Sequence, residues 1–290
     1  MEKYYGDYKN VSDNYLRQCF YWAFRKGLKY PVYQIHCTDS TNNIKEDKFV
    51  LMITGNENHL NLDHYYEDNR IVAIIKNYPA MKNYADPELG QAYKIKINES
   101  GRGLYEVETE DDRTLNIPLG FCNDFVPYTF KERESLGGFI GQWTNFREAF
   151  IKNIEKLYTN EGKNVPFKFA LYNGFGPFVQ KNESLNTLDY SYHLSNFDIS
   201  FCFSGQSPET FRLIESAMAG CCIIETGLPN VWYYKNMPSI LLNPDTIIPS
   251  IEFAIENKAY FQRKISTWYV ETVTPIQVGK RIENHIRRFK

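Results

Sequence analysis

Several features are missing from this 290-residue sequence, and each absence closes off a class of function. No run of about 18 or more apolar residues occurs, so no helical membrane span is expected. The opening stretch Met1-Glu-Lys-Tyr-Tyr-Gly-Asp-Tyr8 has no apolar signal core, so export by the usual route is not expected. Charge of one sign is not in excess. The 33 Lys and Arg against 35 Asp and Glu leave a net charge of −2 and a pI near 6.3, which argues against a general nucleic-acid binder. No C-x-x-C pair exists among the six cysteines, Cys19, Cys37, Cys122, Cys202, Cys221 and Cys222. Four of them, Cys37, Cys202, Cys221 and Cys222, lie in or beside apolar, strand-like runs. They read as reduced, buried, small apolar residues of a cytosolic protein rather than as disulfides or metal ligands. No Gly-x-Gly-x-x-Gly follows the first expected strand, which disfavours a dinucleotide dehydrogenase. No Gly-x-x-x-x-Gly-Lys-(Ser/Thr) occurs, which disfavours a P-loop NTPase. Internal repeats and low-complexity linkers are absent as well.

What is present is an ordinary globular balance, 43% apolar and 23% charged, with an unusual 16% of aromatic residues. The 22 tyrosines carry a large apolar ring with a polar tip, which suits half-wet clefts as well as cores. The length is about two domains' worth. Hydrophobic periodicity alternates between strands and helices. A helix is expected over 13–26, strands over 31–37, 49–54 and 71–75, a short helix over 63–69, weaker strands over 94–98 and 104–108, and a strand ending in a turn over 114–121. The pattern restarts near residue 135 with a strand at 138–141. A helix over 144–158 follows, with Phe146, Phe150, Ile154 and Leu157 on one stripe. Strands at 167–172, 198–203, 221–225 and 239–242 come next, interleaved with helices at 191–194, 208–219, 247–257 and 275–288. This β-α-β-α rhythm is that of parallel sheets with helices on both faces. Continuous apolar strands such as Ile71-Val-Ala-Ile-Ile75 suit burial on both faces. The restart divides the chain into units of 1–133 and 134–272, followed by a C-terminal helix at 273–290. In such sheets ligands bind outside the carboxyl ends of the strands, so two facing units place the site in the cleft between them.

The most informative stretch runs from Asp198 to Glu225: Asp198-Ile-Ser-Phe-Cys-Phe-Ser-Gly-Gln-Ser-Pro-Glu-Thr-Phe-Arg-Leu-Ile-Glu-Ser-Ala-Met-Ala-Gly-Cys-Cys-Ile-Ile-Glu225. It reads as a buried strand, a small-residue loop, a helix with Pro208 in its first turn, a stop at Gly220 and the next strand. Ser204, Gly205 and Ser207 let a ligand approach the backbone. The helix N-terminus with Ser207, Glu209 and Thr210 suits a diphosphate, and Arg212 adds a bidentate charge contact. Glu215, three residues on, can accept both hydroxyls of a ribose.

This stretch resembles the nucleotide-sugar site of glycosyltransferases with two Rossmann-like domains facing across a cleft, the α/β architecture called GT-B. Pro208-Glu-Thr-Phe-Arg-x-x-Glu-Ser-x-x-Ala-Gly-Cys221 is most similar to the exostosin-type transferases and their xylosyltransferase relatives. Ser216 stands where that family has Ala, and Cys222-Ile-Ile-Glu225 where it has Ile-Pro-Val. The short spacing from Glu209 to Glu215 differs from that of the retaining enzymes. Gly138-Phe-Ile-Gly-Gln142, followed by a helix with Arg147, is similar to the opening of the donor domain, where a glycine turn at Gly141 faces the diphosphate. Asn116-Ile-Pro-Leu-Gly-Phe121 is similar to the segment that ends the acceptor domain, and Asn173-Gly-Phe-Gly176 is a candidate lining for the nucleobase.

The resemblance implies an inverting, metal-independent glycosyltransferase that takes a UDP-sugar, UDP-xylose among the donors, and a glycan or glycoconjugate acceptor. The nucleotide sugar is then substrate, and no cofactor is implied. Inversion needs a base at the carboxyl end of a strand in the first unit. Glu57 ranks first, then Asp39 and His36. Tyr65, Tyr66, Tyr78 and Tyr84 are candidates to stack on sugar rings. His59, Asp63, His64 and Glu67 form no clean metal signature, and Glu110-Asp-Asp112 reads as a solvated turn. Lacking a leader or membrane anchor, the chain is expected to be a cytoplasmic enzyme of bacterial or viral type. The alternatives are a nucleotide-sugar epimerase of the same architecture, which needs no acceptor, and a catalytically silent carbohydrate-binding subunit.

Overall fold

The computed structural model describes residues 13–25, 27, 29–55, 62–81, 96–97, 103–172, 185–205, 207–242 and 244–289. Helix α1 (Asn14–Phe24) is capped by Asp13, whose carboxylate accepts the Leu16 N–H, and it buries Leu16, Phe20, Ala23 and Phe24 on one stripe. Strands β1 (Val32–His36), β2 (Phe49–Thr54), β3 (Ile71–Lys76) and β6 (Thr114–Asn116) form a parallel sheet in that order. Helix α2 (Asp63–Tyr66) precedes β3. The unbroken apolar character of β2 follows from burial on both faces. Val50 and Met52 join the cluster containing α1, while Phe49, Leu51 and Ile53 pack with Tyr65 of α2.

The second sheet is also parallel. Its order is β12 (Ser239–Leu241), β10 (Cys222–Glu225), β9 (Phe197–Cys202), β7 (Ser135–Gln142) and β8 (Lys168–Tyr172). The expected α/β architecture with two parallel-sheet units is therefore present. A third, small sheet was not foreseen. Strand β4 (Lys96–Ile97) runs antiparallel to β5 (Gly103–Tyr105), and β5 pairs in parallel with β11 (Leu228–Pro229) of the second half.

Three helices depart from expectation. Helix α3 (Asn145–Asn160), capped by Thr144, buries Arg147, Ile151, Ile154 and Tyr158, so its inward stripe is rotated from the one expected. An arginine turns inward because backbone carbonyls at the strand ends receive it. Following helix α4 (Thr187–Ser195), helix α5 spans only Phe211–Met218, with Thr210 extended at its N-cap (φ −135°, ψ 150°). Pro208 thus lies ahead of the helix. Gly205 and Glu209 are instead tied to Ser207, whose O accepts the Gly205 N–H (3.0 Å) and whose Oγ accepts the Glu209 N–H (3.3 Å). Gly220, at φ +67°, ends the helix as expected. Helix α6 (Ile247–Trp268) runs 11 residues past its expected end and continues through a π turn, Tyr269–Val273, into α7 (Pro275–Arg287).

Helix α7 packs on α1 and β3 of the first unit. Tyr15 donates its hydroxyl to Val273 O (2.7 Å), and His285 Nε2 pairs with Arg113 O (2.7 Å). All six cysteines are free thiols. Five are buried and Cys122 is half-buried. No described helix is long and apolar enough to cross a membrane.

Candidate functional site

Strand β7 is the point where the order of the second sheet reverses: β8 lies on one side of it and β9 on the other. In parallel sheets the crevice beyond the carboxyl ends at such a reversal receives ligands. Two buried arginines occupy it. Arg147, from the first turn of α3, donates to Gln142 O at the end of β7 (2.9 Å) and to Ser204 O (3.2 Å) and Phe203 O (3.5 Å) just past β9. Arg212, from the first turn of α5, donates to Ile140 O. Both guanidinium groups lie over the Phe139 ring, Arg212 at 4.1 Å and Arg147 at 5.3 Å from its centroid.

Neither arginine forms an ion pair with a carboxylate among the described residues. The Nε–H of Arg212 is buried and meets no acceptor among the described residues. Burial, and secondarily the neighbouring Arg212 charge, pull the pKa of Arg147 down to about 9. Gly141 and Gly205 make the room. A Cβ at Gly205 would stand 2.9 Å from Arg147 Nη2, and one at Gly141 would collide with Arg212 Nη2. Ser207 is buried, and the Thr210 hydroxyl at the start of α5 is a further buried polar group without a partner among the described residues. Of the expected donor-site residues, Gly141, Arg147 and Arg212 are brought together, Gly141 against Arg212 and both arginines over the Phe139 ring, while Ser207 and Thr210 lie in the segment that leads into α5. Two buried cations side by side, one with an Nε–H that meets no acceptor among the described residues, suit an anion with several acceptor oxygens.

The two glutamates of the motif are placed otherwise. Glu215 is 1% exposed. Its Oε1 accepts the Cys122 N–H (2.9 Å) and its Oε2 the Tyr190 hydroxyl (2.7 Å). Burial raises its pKa against those bonds and the nearby Arg212 charge, which lower it. Glu209 accepts the backbone N–H groups of Tyr78 (3.3 Å) and Leu119 (3.2 Å) and the Tyr234 hydroxyl (3.0 Å). Both carboxylates, expected to be open to a ligand, are thus engaged by protein donors. Both grip the segment 119–122 that follows β6.

On the first unit, His36 and Asp39 come together at the carboxyl end of β1. Asp39 Oδ2 accepts the His36 N–H (2.8 Å), His36 Nδ1 pairs with Thr38 Oγ1 (2.9 Å), and Gly55, at the end of β2, lies against the imidazole. Tyr65 is fully buried and donates its hydroxyl to Asp39 O (2.5 Å), so it props this turn from beneath rather than offering a sugar platform. Tyr78 is buried as well. Glu57, His59, Tyr84 and the 173–176 turn lie outside the described residues. At the same sheet edge, with β2 between it and β1, the last residue of β3, Lys76, is completely buried and pairs with Glu110 (2.5 Å), whose other oxygen accepts from Asn116 Nδ2 (2.5 Å).

No family model matches the sequence, and no curated protein does. Among solved structures the chain is similar to HepE of Anabaena in complex with UDP-glucose, at 10% identity and a TM-score of 0.45, over 83% of this chain and 72% of that one. It is similar to a GtfA/B complex at 10% identity and a TM-score of 0.48, over 95% of this chain and 60% of that one. It is also similar to an α1,3-fucosyltransferase with GDP, at 13% identity and a TM-score of 0.41, over 91% of each chain. Likeness at this level assigns no activity.

Lys76 and Glu110 are the polar pair that sequence reasoning missed. Glu110 is not the solvated turn residue expected, because its side chain is only 10% exposed against a lysine that is 0% exposed. The available signal was a lysine closing an otherwise wholly apolar strand at the ligand-facing edge. Among the described residues no group of three or more His, Cys, Asp and Glu side chains is arranged to hold a metal ion.

Proposed function

We propose that the chain is a GT-B glycosyltransferase that moves a sugar from a nucleoside diphosphate donor to a hydroxyl of a glycan or glycoconjugate. The observation that carries this is the Arg147–Arg212 pair, buried beside the switch point with no carboxylate partner and with an unmet Arg212 N–H among the described residues. A donor diphosphate supplies the missing acceptors. As the sugar–oxygen bond breaks, charge builds on the leaving diphosphate, and two fixed guanidinium groups stabilise it with little reorganisation. Their charge does the work that a divalent cation does elsewhere, which supports a metal-independent reaction. Gly141, Ser207 and Thr210 line the approach. Glu215 meets the ribose diol once that diol displaces the Tyr190 and Cys122 donors.

The acceptor hydroxyl gives its proton to a base on the first unit as its oxygen attacks the anomeric carbon from the face opposite the diphosphate, which leaves with inversion. Glu57, Asp39 and His36 are the residues proposed for that base. A UDP-sugar, UDP-xylose included, is proposed from the sequence resemblance, as is inversion.

The test is calorimetric titration with UDP, GDP, CMP and inorganic pyrophosphate, on the wild-type chain and on Arg212→Ala, with product analysis of UDP-sugars with and without glycan acceptors. UDP and pyrophosphate are expected to bind the wild type and to lose roughly 10- to 100-fold in affinity in the variant, the scale of a charge-assisted hydrogen bond. Equal affinity in both proteins removes the diphosphate assignment. Conversion of the sugar nucleotide without acceptor points to the epimerase instead.

A further inference from the structure

Glu209 belongs to the stretch that resembles a donor site, yet each of its hydrogen bonds described above is to the protein, and two of them reach the first sheet unit. It is 2% exposed. Its two oxygens take the N–H of Tyr78, two residues past β3, the N–H of Leu119, three residues past β6, and the hydroxyl of Tyr234. Tyr78 has φ +57°, a left-handed conformation that a tyrosine keeps only where its surroundings enforce it. On the other side, Glu209 directly precedes Thr210, the N-cap of the helix that carries Arg212. One carboxylate therefore joins a strained turn at the carboxyl edge of the first sheet to the start of the diphosphate-site helix. Trp232 adds a parallel tie, donating Nε1–H to Asn116 O (2.7 Å).

We infer that Glu209 is a positioning residue. It clasps the Tyr78 and Leu119 turns, and with them the acceptor-side strand ends of β3 and β6, onto the helix that holds the donor diphosphate, and it touches no substrate itself. The clasp follows from geometry, whereas its service to sugar transfer rests on the function proposed above. The clasp needs the ionised form, since protonation would turn one acceptor oxygen into a donor facing an N–H. The titratable groups that face Glu209 are Tyr233 and Tyr234, whose phenols burial pushes up so that they stay neutral. Glu110 acts on Tyr233 as well, and is itself paired with Lys76. Burial lifts Glu209 to about 7, so the clasp titrates in the neutral range.

The experiment compares the wild type with Glu209→Gln and Tyr234→Phe. Amide hydrogen exchange at Tyr78 and Leu119 is expected to quicken by about tenfold or more in Glu209→Gln, and unchanged exchange there overturns the clasp. UDP affinity is expected to stay within about threefold of the wild type. A loss of tenfold or more overturns the positioning role and makes Glu209 a donor contact. Transfer turnover is expected to fall by about tenfold or more in Glu209→Gln, and the acid limb near pH 7 to vanish. In Tyr234→Phe that limb is expected to move to higher pH, because the lost hydrogen bond had lowered the carboxyl pKa. Unchanged turnover with an unchanged limb also overturns the role. If the wild type turns over no UDP-sugar with any acceptor, the proposed function falls, while the exchange result still decides the clasp.

Discussion

At the scale of single residues, the chemistry turns on which buried polar groups have found partners. Arg147 donates from all three nitrogens to strand-end carbonyls, whereas Arg212 donates to Ile140 O and keeps an Nε–H that meets no acceptor among the described residues. Glu215 has both oxygens occupied, which sets up a discriminating experiment. If a ribose diol exchanges with Tyr190 and Cys122 at this carboxylate, Glu215→Ala is expected to weaken UDP binding by roughly 10- to 100-fold and leave pyrophosphate affinity unchanged. Tyr190→Phe, which removes a competing donor, is expected to bind UDP at least as tightly as the wild type. Parallel calorimetric titrations read both, and an equal loss for UDP and pyrophosphate in Glu215→Ala would place the residue behind Arg212 instead. The residue types at these positions were legible in the sequence. The state of their hydrogen bonds was not, because the donors come from 25 and 93 residues away, in Tyr190 and Cys122.

At the scale of elements, local periodicity located the helices and strands but mis-set faces and ends where a distant partner intervened. Helix α3 shows this. Phe146 and Phe150 advertise one inward face, yet the carbonyls of Gln142, Phe203 and Ser204 draw Arg147 in and rotate the buried stripe to Arg147, Ile151, Ile154 and Tyr158. Helix α5 begins late because Glu209 is pulled out of helical geometry by bonds to another part of the chain. The packing of α7 on α1 is close enough to test. A Cβ on Gly279 would lie 2.6 Å from Trp22 Cβ and 2.5 Å from Cys19 O. Replacing the glycine gains up to about 1 kcal/mol in helix propensity. Forcing a bulky group between two packed backbones costs typically about 1–3 kcal/mol. Gly279→Leu is therefore expected to lower stability by a net 1–2 kcal/mol or so, read from the urea midpoint. A stabilised variant would mean that the two helices do not pack this closely.

At the scale of the whole molecule, the two sheets are joined by β5 with β11, by α7 lying on α1, and by the Glu209 and Glu215 carboxylates. The Glu209 link carries a pH signature. Its folded pKa, about 7, lies above the ordinary 4.5, so the folded chain holds a proton that the unfolded chain has released between those values. Net stability is therefore greatest below about pH 4.5 and falls as pH rises through about 7, because the folded chain must then bury a charge whose cost the clasp bonds only partly offset. Asp68 works in the opposite sense. Arg70 holds it down to about 2 from 3.8, so its contribution is present above about 3.8 and lost as pH falls towards 2. Between pH 5 and 7 the unfolding free energy is expected to fall with rising pH in the wild type and to flatten in Glu209→Gln, measured by urea denaturation at a series of pH values. Parallel slopes for the two proteins would show that Glu209 does not titrate in that range.

The α/β rhythm, the restart near residue 135 and the two arginines that the fold brings together were legible in the sequence. Apolar periodicity, a glycine stop and a small-residue loop are local signals that survive without a partner. Which charges are exposed and which are clasped depended on how the two halves fold together. A buried Lys76 beside Glu110, an inward Arg147 and two glutamates gripping the 119–122 segment all depend on groups far away in the chain. The desolvation that makes those contacts matter exists only once both sheets have closed around them.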